Sequence, residues 1–297
     1  MPRVRAALVL GALTLVTLPM IPVQWLAMRA PGGVKRHLPV VWHRIACGLV
    51  GIRVREVGRP ARERPLLIAA NHVSWLDITV LGSRMPLSFV AKSEVASWPV
   101  FGLFAKLQRS VFVDRQRRSA TGKTAAELGT RLASGDAMVL FAEGTSNSGN
   151  EVLPFRSALI GAARHAVAGD GEEVCIQPLA LAYTGLHGLP MGRQFRPHVA
   201  WYGDMEMVPH FMNVVRQGAV DVTVIWGEPV RVRPGEDRKT LTRRLETAVR
   251  DMAARALAGR LEAPDEAGSA GGHEGVHSGR ESPDGAGPAI LKPRENG

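Results

Sequence analysis

The 297-residue chain has few of the residues that build disulfide scaffolds or metal centres. It contains two cysteines, Cys47 and Cys175, and both lie in apolar surroundings. Cysteines of this number and setting predict no disulfide framework and are typical of a reducing compartment. The nine histidines are scattered, and none pairs with an acid or a cysteine at the spacing of a metal site. We therefore expect neither structural disulfides nor a bound metal.

Two stretches that approach known motifs each lack an essential residue. The run from Thr121 to Thr124 ends like a phosphate-binding loop, but Arg117 stands where the first glycine is required. Gly144 to Ser148 approaches a nucleophile elbow without its final glycine. There are no internal repeats. The sequence therefore predicts neither a nucleotide-binding loop nor a hydrolase elbow.

Charge is absent between Arg5 and Arg29. This apolar stretch is long enough to cross or enter a bilayer. Pro19 and Pro22 are expected to bend it, and a second apolar stretch runs from Leu38 to Ile52. A bent or re-entrant membrane anchor is therefore favoured over a straight span. Basic residues lie on both sides of the first stretch, so they predict no orientation.

A cleaved signal peptide is the alternative interpretation of this N-terminus. No small-x-small cleavage site follows the apolar run, so we favour a retained anchor. The formal net charge is +10, which suits either nucleic acid or an anionic membrane surface. The predicted anchor favours a membrane surface over nucleic acid, so we expect no nucleic-acid partner. From about Ala263 the chain is rich in Gly, Ser, Pro, Glu and His without periodicity, which predicts a disordered tail.

The apolar run from Leu66 to Ala70 predicts a buried strand, and residues from Asp77 onward predict a helix. His72 then lies just beyond the carboxyl end of a strand, where open α/β sheets place their ligand sites. A histidine with a pKa near neutrality suits a general base, and the intervening turn can bring Asp77 to its Nδ1–H. A purely structural His–Asp hydrogen bond is the alternative. If the strand ending at Phe141 is parallel to the first, Glu143 shares the same edge.

The remaining pattern predicts a single mixed, largely parallel α/β sheet flanked by helices. We expect membrane-anchoring helices in residues 1–55, a catalytic domain in 56–261 and the tail in 262–297. Further strands are predicted at Leu87–Lys92, Ala137–Phe141, Cys175–Tyr183, His198–Gly203 and Val220–Gly227, and helices at Gln116–Ser134, Pro154–His165 and Asp237–Leu257.

Four blocks in order resemble the glycerolipid acyltransferase family, whose best-known members are the 1-acylglycerol-3-phosphate O-acyltransferases. His72 and Asp77 match its His-x4-Asp signature. The runs from Arg109 to Arg115, from Phe141 to Thr145 and from Ile176 to Ala180 resemble the second, third and fourth blocks. Any one block alone is weak evidence for the family, whereas four blocks in this order and at this spacing are specific to it.

The resemblance implies acyl transfer from a thioester, on coenzyme A or acyl-carrier protein, to a lipid hydroxyl. His72 would deprotonate the hydroxyl and Asp77 would orient His72. Residues expected to contact the substrates are Arg115, Glu143, Gly144, Thr145 and Arg156. No cofactor is expected, because a thioester is already activated and a base, positioning and oxyanion donors complete the chemistry.

Three positions depart from the family pattern. Ala142 replaces the usual proline, and Arg109 stands where the second block often has glycine. Ser146 and Asn147 follow Thr145, where lysophosphatidate enzymes commonly carry an arginine. Because an arginine fork suits phosphate, its absence weakens the case for a phosphate acceptor.

The segment from Trp201 to Glu206, with Pro209-His210 and Gly227-Glu228-Pro229, resembles bacterial enzymes that acylate lyso-ornithine lipid. We therefore expect an enzyme at the cytoplasmic face of the inner membrane, acting on lysophosphatidate or lyso-ornithine lipid. One alternative is a serine esterase that uses His72 with Ser146 or Ser148. Another is a basic membrane-binding protein whose site is inactive.

Overall fold

The strand from Leu66 to Ala70 is the centre of a nine-stranded sheet in the computed structural model of the chain. The structure describes residues 2–113, 129–132, 134–161, 173–232 and 236–261. Arg115, most of the helix predicted at Gln116–Ser134, the last four residues of the helix predicted at Pro154–His165, and the predicted tail lie outside these ranges.

The chain alternates helices and strands after an N-terminal helical pair. The helices are α1 Pro2–Ala27, α2 Val34–Val50, α3 Leu76–Gly82, α4 Phe101–Leu107, α5 Met207–Gln217 and α6 Arg238–Leu257. The strands are β1 Ile52–Val57, β2 Leu66–Ala70, β3 Ser88–Lys92, β4 Val111–Val113, β5 Ala137–Phe141, β6 Val174–Leu186, β7 Leu189–Pro190, β8 Val220–Trp226 and β9 Val230–Val232. Short 3-10 helices cover Ser93–Ser97 and Arg193–His198, and residues 157–161 are helical.

The sheet is mixed and largely parallel, as the sequence predicts. The strand order is β1-β8-β6-β2-β5-β3-β4, with β7 and β9 paired to β6. All neighbours from β6 to β4 run parallel, as do β1 and β8. Strand β6 meets β7, β8 and β9 in antiparallel fashion. The carboxyl ends of β2 and β5 therefore meet at one edge of the sheet, and their amino ends at the opposite edge.

Both faces of the sheet are covered, which explains why β2 is apolar at every position. Leu66, Ile68 and Ala70 face a core shared with the N-terminal helices, α3 and α5. Leu67 and Ala69 face the other core, to which α6 contributes Leu241, Leu245 and Val249. Asp237 caps α6 by accepting the Thr240 N–H at 2.7 Å. Parallel strands buried on both faces carry such continuous apolar runs.

One strand prediction is wrong. The segment from His198 to Gly203 is not a strand. His198 is the last residue of a 3-10 helix, and the residues after it form an irregular loop. Val199 and Ala200 are buried because this loop packs beneath the turn that holds His72, and the Trp201 N–H donates to the Val73 carbonyl at 2.9 Å. Burial in a loop gives the same apolar signal as burial in a short strand.

Helix α1 is long and apolar enough to cross a membrane, and among the described residues it alone passes that test. Pro19 and Pro22 lie inside it, and the helix continues past both to Ala27. Leu8, Leu15 and Leu18 on α1 are exposed. This helix supports membrane association of the chain.

Polar contacts fix α1 to the catalytic part of the chain. Arg5 donates to the carbonyls of Val50 and Val215, near the ends of α2 and α5. At the other end, the Gln24 amide donates to the carbonyls of Lys35 and Leu107 at 3.0 and 2.9 Å. The first helix is therefore held at both ends by contacts with other helices and loops of the chain. The predicted domain boundary between residues 55 and 56 falls within β1, and the division into domains stays a prediction.

Candidate active site

His72 follows β2 directly, and its ring pairs with Asp77 at the start of α3. The distance from His72 Nδ1 to Asp77 Oδ2 is 2.7 Å. The Asp77 side chain is 0% exposed, whereas that of His72 is 20% exposed. The carboxylate thus fixes the tautomer with the proton on Nδ1, which leaves Nε2 as the basic nitrogen of the partly exposed ring.

Neutral donors hold the buried Asp77 carboxylate. Oδ2 also accepts the backbone N–H groups of Val73 and Ser74 at 2.7 and 3.0 Å. Oδ1 accepts the Tyr183 hydroxyl at 2.7 Å. Burial, followed by the adjacent Asp77 charge, raises the pKa of Tyr183 well above its usual value, so this hydroxyl stays a donor. The described residues place no arginine or lysine on Asp77, which therefore keeps its charge available to an imidazolium.

The His72 ring also rests on Phe141, the last residue of β5. The two ring centroids are 3.9 Å apart and the planes differ by 15°. Phe89 of β3 in turn stacks with Phe141, and their ring centroids are 6.1 Å apart. The aromatic surface limits rotation of His72 about its side-chain bonds.

Glu143 reaches the same edge as His72, because β2 and β5 are parallel and in register from Leu66 and Ala137. Its side chain is buried, and Oε1 accepts the His72 backbone N–H at 3.1 Å. Oε2 accepts the Asn147 amide. Burial raises the pKa of Glu143 to about 7. In this structure both oxygens contact protein groups, so Glu143 braces the turn that carries His72.

The loop after Glu143 curls back onto the His72 turn. The Asn147 N–H donates to the His72 carbonyl at 3.0 Å. Gly149 has a φ of +72°, and a Cβ there would lie 2.9 Å from Val73 Cγ1, so both its backbone and its contact require glycine. Arg196 donates to the Asn150 side chain and holds the far end of this loop.

Three of the other substrate-contact residues predicted from the sequence, Gly144, Thr145 and Arg156, lie beside Glu143. Gly144 has a φ of +78° and donates its N–H to the Phe141 carbonyl, and Thr145 is exposed. Arg156 is exposed and its Nε donates to the Glu143 carbonyl at 3.0 Å. Arg115 lies outside the described residues. The roles of all these residues toward substrate stay predictions.

Two departures from the family pattern have local physical reasons. The Ala142 N–H donates to the Ala70 carbonyl at 3.0 Å, a bond that extends the β2–β5 ladder and that proline could not make. Arg109 adopts a φ of +63°, where glycine is usual, and its side chain pairs with the buried Asp136.

The serine esterase alternative finds no support in the geometry. Within the described ranges, neither Ser146 nor Ser148 hydrogen-bonds to His72. The Ser148 hydroxyl instead accepts from the backbone and side chain of Asn150 at 3.4 Å. A serine nucleophile requires hydrogen-bond contact with its base.

Sequence reasoning missed several residues that position His72. Tyr183, Phe141 and Asn147 belong to other segments of the chain, so no local spacing reports their contacts. Tyr183 did offer a signal, since it is one of two tyrosines in the chain and lies in an otherwise apolar strand. Asn71 offered another: its side chain exchanges hydrogen bonds with the Leu181 backbone at 2.7 and 3.0 Å.

A histidine hydrogen-bonded to a buried carboxylate at the carboxyl edge of a parallel sheet is an arrangement that suits general-base chemistry. The Acyltransferase family model matches residues 51–182. The chain is 51% identical over 258 residues to the lyso-ornithine lipid O-acyltransferase of Brucella abortus, covering 86% of this chain and 97% of that protein. It is 48% identical over 258 residues to the enzyme of the same name from Rhizobium meliloti, covering 86% and 88%. The chain therefore belongs to the acyltransferase family.

A solved structure agrees on the fold. The crystal structure of the 1-acyl-sn-glycerophosphate acyltransferase from Thermotoga maritima is similar with a TM-score of 0.60 and 18% identity. The match covers 89% of this chain and 100% of that one. The protein is an acyltransferase, as the sequence predicts.

Proposed function

We propose that the protein is a membrane-associated O-acyltransferase that moves a fatty acyl group from a thioester to the free hydroxyl of lyso-ornithine lipid. The main observation behind this proposal is the His72–Asp77 pair, which lies at the edge of the sheet where the parallel strands β2 and β5 end. Two relatives at about half identity are named for this acceptor. The missing arginine after Thr145 agrees, because the acceptor has an amino-acid headgroup and no phosphate.

The proposed reaction uses His72 twice. Its Nε2 takes the proton of the acceptor hydroxyl while that oxygen attacks the thioester carbonyl. The tetrahedral intermediate collapses, the carbon–sulfur bond breaks, and the departing sulfur takes the proton from the imidazolium. Asp77 stabilises the imidazolium between these steps.

The loop after Glu143 offers donors for the negative oxygen of that intermediate. The N–H groups of Asn147 and Gly149 are already bonded to protein acceptors. Among the described residues, those of Thr145, Ser146 and Ser148 have no protein acceptor, so they are the donors that remain for an oxyanion. The exposed guanidinium of Arg156 lies beside this loop and is our candidate for a phosphate of the donor.

The donor, the partners and the location belong to the same proposal. Acyl-carrier protein and acyl-coenzyme A are cytosolic thioesters, so we place the active site at the cytoplasmic face of the inner membrane. The anchor helix and the net charge of +10 support an anionic lipid surface as the partner. The proposal includes no nucleic-acid partner and no cofactor.

The test is an acceptor comparison with the purified full chain. Radiolabelled acyl-carrier-protein thioester is offered with lyso-ornithine lipid or with lysophosphatidate in matched detergent micelles, and labelled lipid is counted. We expect transfer to lyso-ornithine lipid to exceed transfer to lysophosphatidate. Transfer to lysophosphatidate alone would show that the acceptor assignment is wrong, and transfer to neither would contradict lysolipid acylation.

A further inference from the structure

A second polar site lies at the edge of the sheet opposite His72. A cavity of about 180 Å³ is bounded by the residues that precede β2, β3 and β5 and by the start of α2. Its polar lining comprises Lys35, Arg36, His37, Arg64, Ser88, Gln108, Arg109 and Asp136. His72 and Glu143 follow β2 and β5 at their carboxyl ends, so the cavity is separated from them by the length of the strands.

Positive charge dominates the cavity wall. The lining contains four basic residues, Lys35, Arg36, Arg64 and Arg109, and a single carboxylate, that of Asp136. Asp136 is engaged by Arg36 at 2.8 Å and by Arg109, with Arg131 at 3.7 Å behind them.

Lys35 and Arg64 have no carboxylate partner among the described residues. The Lys35 ammonium donates to the Ala30 carbonyl at 3.3 Å. The Arg64 Nη1 donates to the carbonyls of Ala61 and Glu63 at 3.0 and 2.7 Å. The Glu63 side chain pairs elsewhere, with Arg231. The described part of the chain therefore supplies no counter-charge to two cations at the cavity.

The chemistry of this wall suits a phosphate group. Guanidinium and ammonium donors converge there from separate segments, and a tetrahedral oxyanion presents oxygens in several directions. Each phosphate oxygen occupies about the space of a water, roughly 30 Å³, so four fit the cavity.

The neighbouring surface indicates where that phosphate comes from. Four apolar residues at the turn between α1 and α2 are all exposed: Trp25 and Leu26 in the last turn of α1, Met28 after it, and Val34 at the start of α2. Val34 directly precedes Lys35, and the Gln24 side chain ties the end of α1 to the Lys35 carbonyl. Arg29 lies over the Trp25 ring at 3.3 Å. An apolar turn with an aromatic residue and flanking basic residues is typical of the level of lipid headgroups.

We propose that the cavity at the amino edge of the sheet binds the phosphate group of an anionic phospholipid, separately from the acyl-transfer site. The bound lipid would hold the turn between α1 and α2 against the membrane surface. The proposal does not depend on which acceptor the enzyme acylates, because the cavity contains none of the acyl-transfer residues.

The test uses the full chain with Lys35→Gln and Arg64→Gln combined. Neither residue makes an ion pair in the described structure, so the variant should fold, and its melting temperature without phosphate checks this. Arg62→Gln is the matched control, since Arg62 is exposed in the same loop and does not line the cavity. If the double variant fails to fold, Lys35→Gln alone is used.

Two probes are applied to each protein. In mild detergent, inorganic phosphate is titrated while thermal unfolding is followed at constant ionic strength with chloride. In parallel, flotation is measured with vesicles of phosphatidylcholine alone and with added phosphatidylglycerol. We expect phosphate to stabilise the wild type and Arg62→Gln, and the double variant to bind it about tenfold more weakly or worse. The extra flotation caused by phosphatidylglycerol should fall in the double variant only.

Each other outcome decides against some part of the proposal. Equal phosphate stabilisation in wild type and double variant, or an equal loss in Arg62→Gln, overturns the cavity as the site. Loss of phosphate binding with unchanged flotation overturns the lipid as the source and assigns a soluble phosphate compound. None of these readouts involves acyl transfer, so their failure is distinguishable from failure of the proposed reaction.

Discussion

Two buried aspartates at opposite edges of one sheet are held by different kinds of donor. Asp77, at the carboxyl edge, is surrounded by backbone N–H groups, the Tyr183 hydroxyl and the His72 ring. Asp136, at the amino edge, is surrounded by the guanidinium groups of Arg36, Arg109 and Arg131. Neutral donors orient a carboxylate without cancelling its charge, whereas cations do both. The first arrangement therefore suits the base that we propose, and the second is a structural cross-link beside an excess of positive charge.

The substitution expected to have the largest effect is Asp77→Asn, which tests whether the aspartate at the carboxyl edge supports a base. An amide keeps the size of the side chain, but it does not stabilise an imidazolium and can select the wrong tautomer of His72. We expect the turnover number to fall about a thousandfold, within the range of a general base and its orienting group. The measurement is initial rate at saturating substrates. A loss below about tenfold, which is a small effect for such a pair, would contradict the role of Asp77.

The matching change at the other edge is Asp136→Asn. It leaves Arg109, whose side chain is 11% exposed, without its charge partner. We expect the free energy of unfolding to fall by about 3–5 kcal/mol, as for a broken buried ion pair. The turnover number of the folded fraction should stay near that of the wild type. A catalytic loss with unchanged stability would show that the two aspartates do not divide these roles.

The third prediction concerns the brace between Glu143 and the His72 turn. Burial raises the pKa of Glu143 to about 7. The folded protein therefore retains a proton that the unfolded chain releases near pH 4.5, the ordinary value. The stabilisation is fully present below that value and is lost as pH rises to about 7.

This dependence is measured by comparing unfolding of the wild type with Glu143→Gln at pH 5 and pH 8 in mild detergent. Relative to the variant, the wild type should lose on the order of 2 kcal/mol across that window. Parallel curves for the two proteins would show that Glu143 is already ionised at pH 5.

The smallest expected effect comes from Tyr183→Phe. The change removes the hydroxyl that donates to Asp77 Oδ1, the one donor to that oxygen among the described residues, and leaves the ring in place. We expect a fall in turnover of about tenfold and a stability loss of about 1–2 kcal/mol, since a buried acceptor loses its partner. The control is Tyr202→Phe, which makes the same change at a half-buried position. Equal effects in Tyr183→Phe and Tyr202→Phe would remove the special role of Tyr183.

The sequence predicted what is local to one segment. The apolar run of β2 with His72 and Asp77 beyond it, and the run of β5 with Glu143 beyond it, place the site once the strands are parallel. The helix predicted at Asp237–Leu257 is found as α6, Arg238–Leu257. These features were predictable because burial on both faces, turn geometry and helical period act over a few residues.

Features that depend on distant partners could not be predicted in this way. The contact between Tyr183 and Asp77 joins residues far apart in the chain, as does the stacking of His72 on Phe141. The loop after His198 was mistaken for a strand because its buried residues pack under the His72 turn. The contacts of Arg36 and Arg109 with Asp136 form because α2, the residues after α4 and the residue before β5 meet at one edge of the sheet. No single segment of the sequence indicates them.

The most direct test of the account is acyl transfer by His72→Ala beside Ser146→Ala, with lyso-ornithine lipid and a labelled thioester. Both proteins must first show wild-type melting behaviour. We predict that His72→Ala loses about a hundredfold to ten-thousandfold in rate, the typical contribution of a general base, and that Ser146→Ala keeps most activity. A near-normal rate in His72→Ala, or an inactive Ser146→Ala, would contradict the central claim that the imidazole is the base and no serine is acylated.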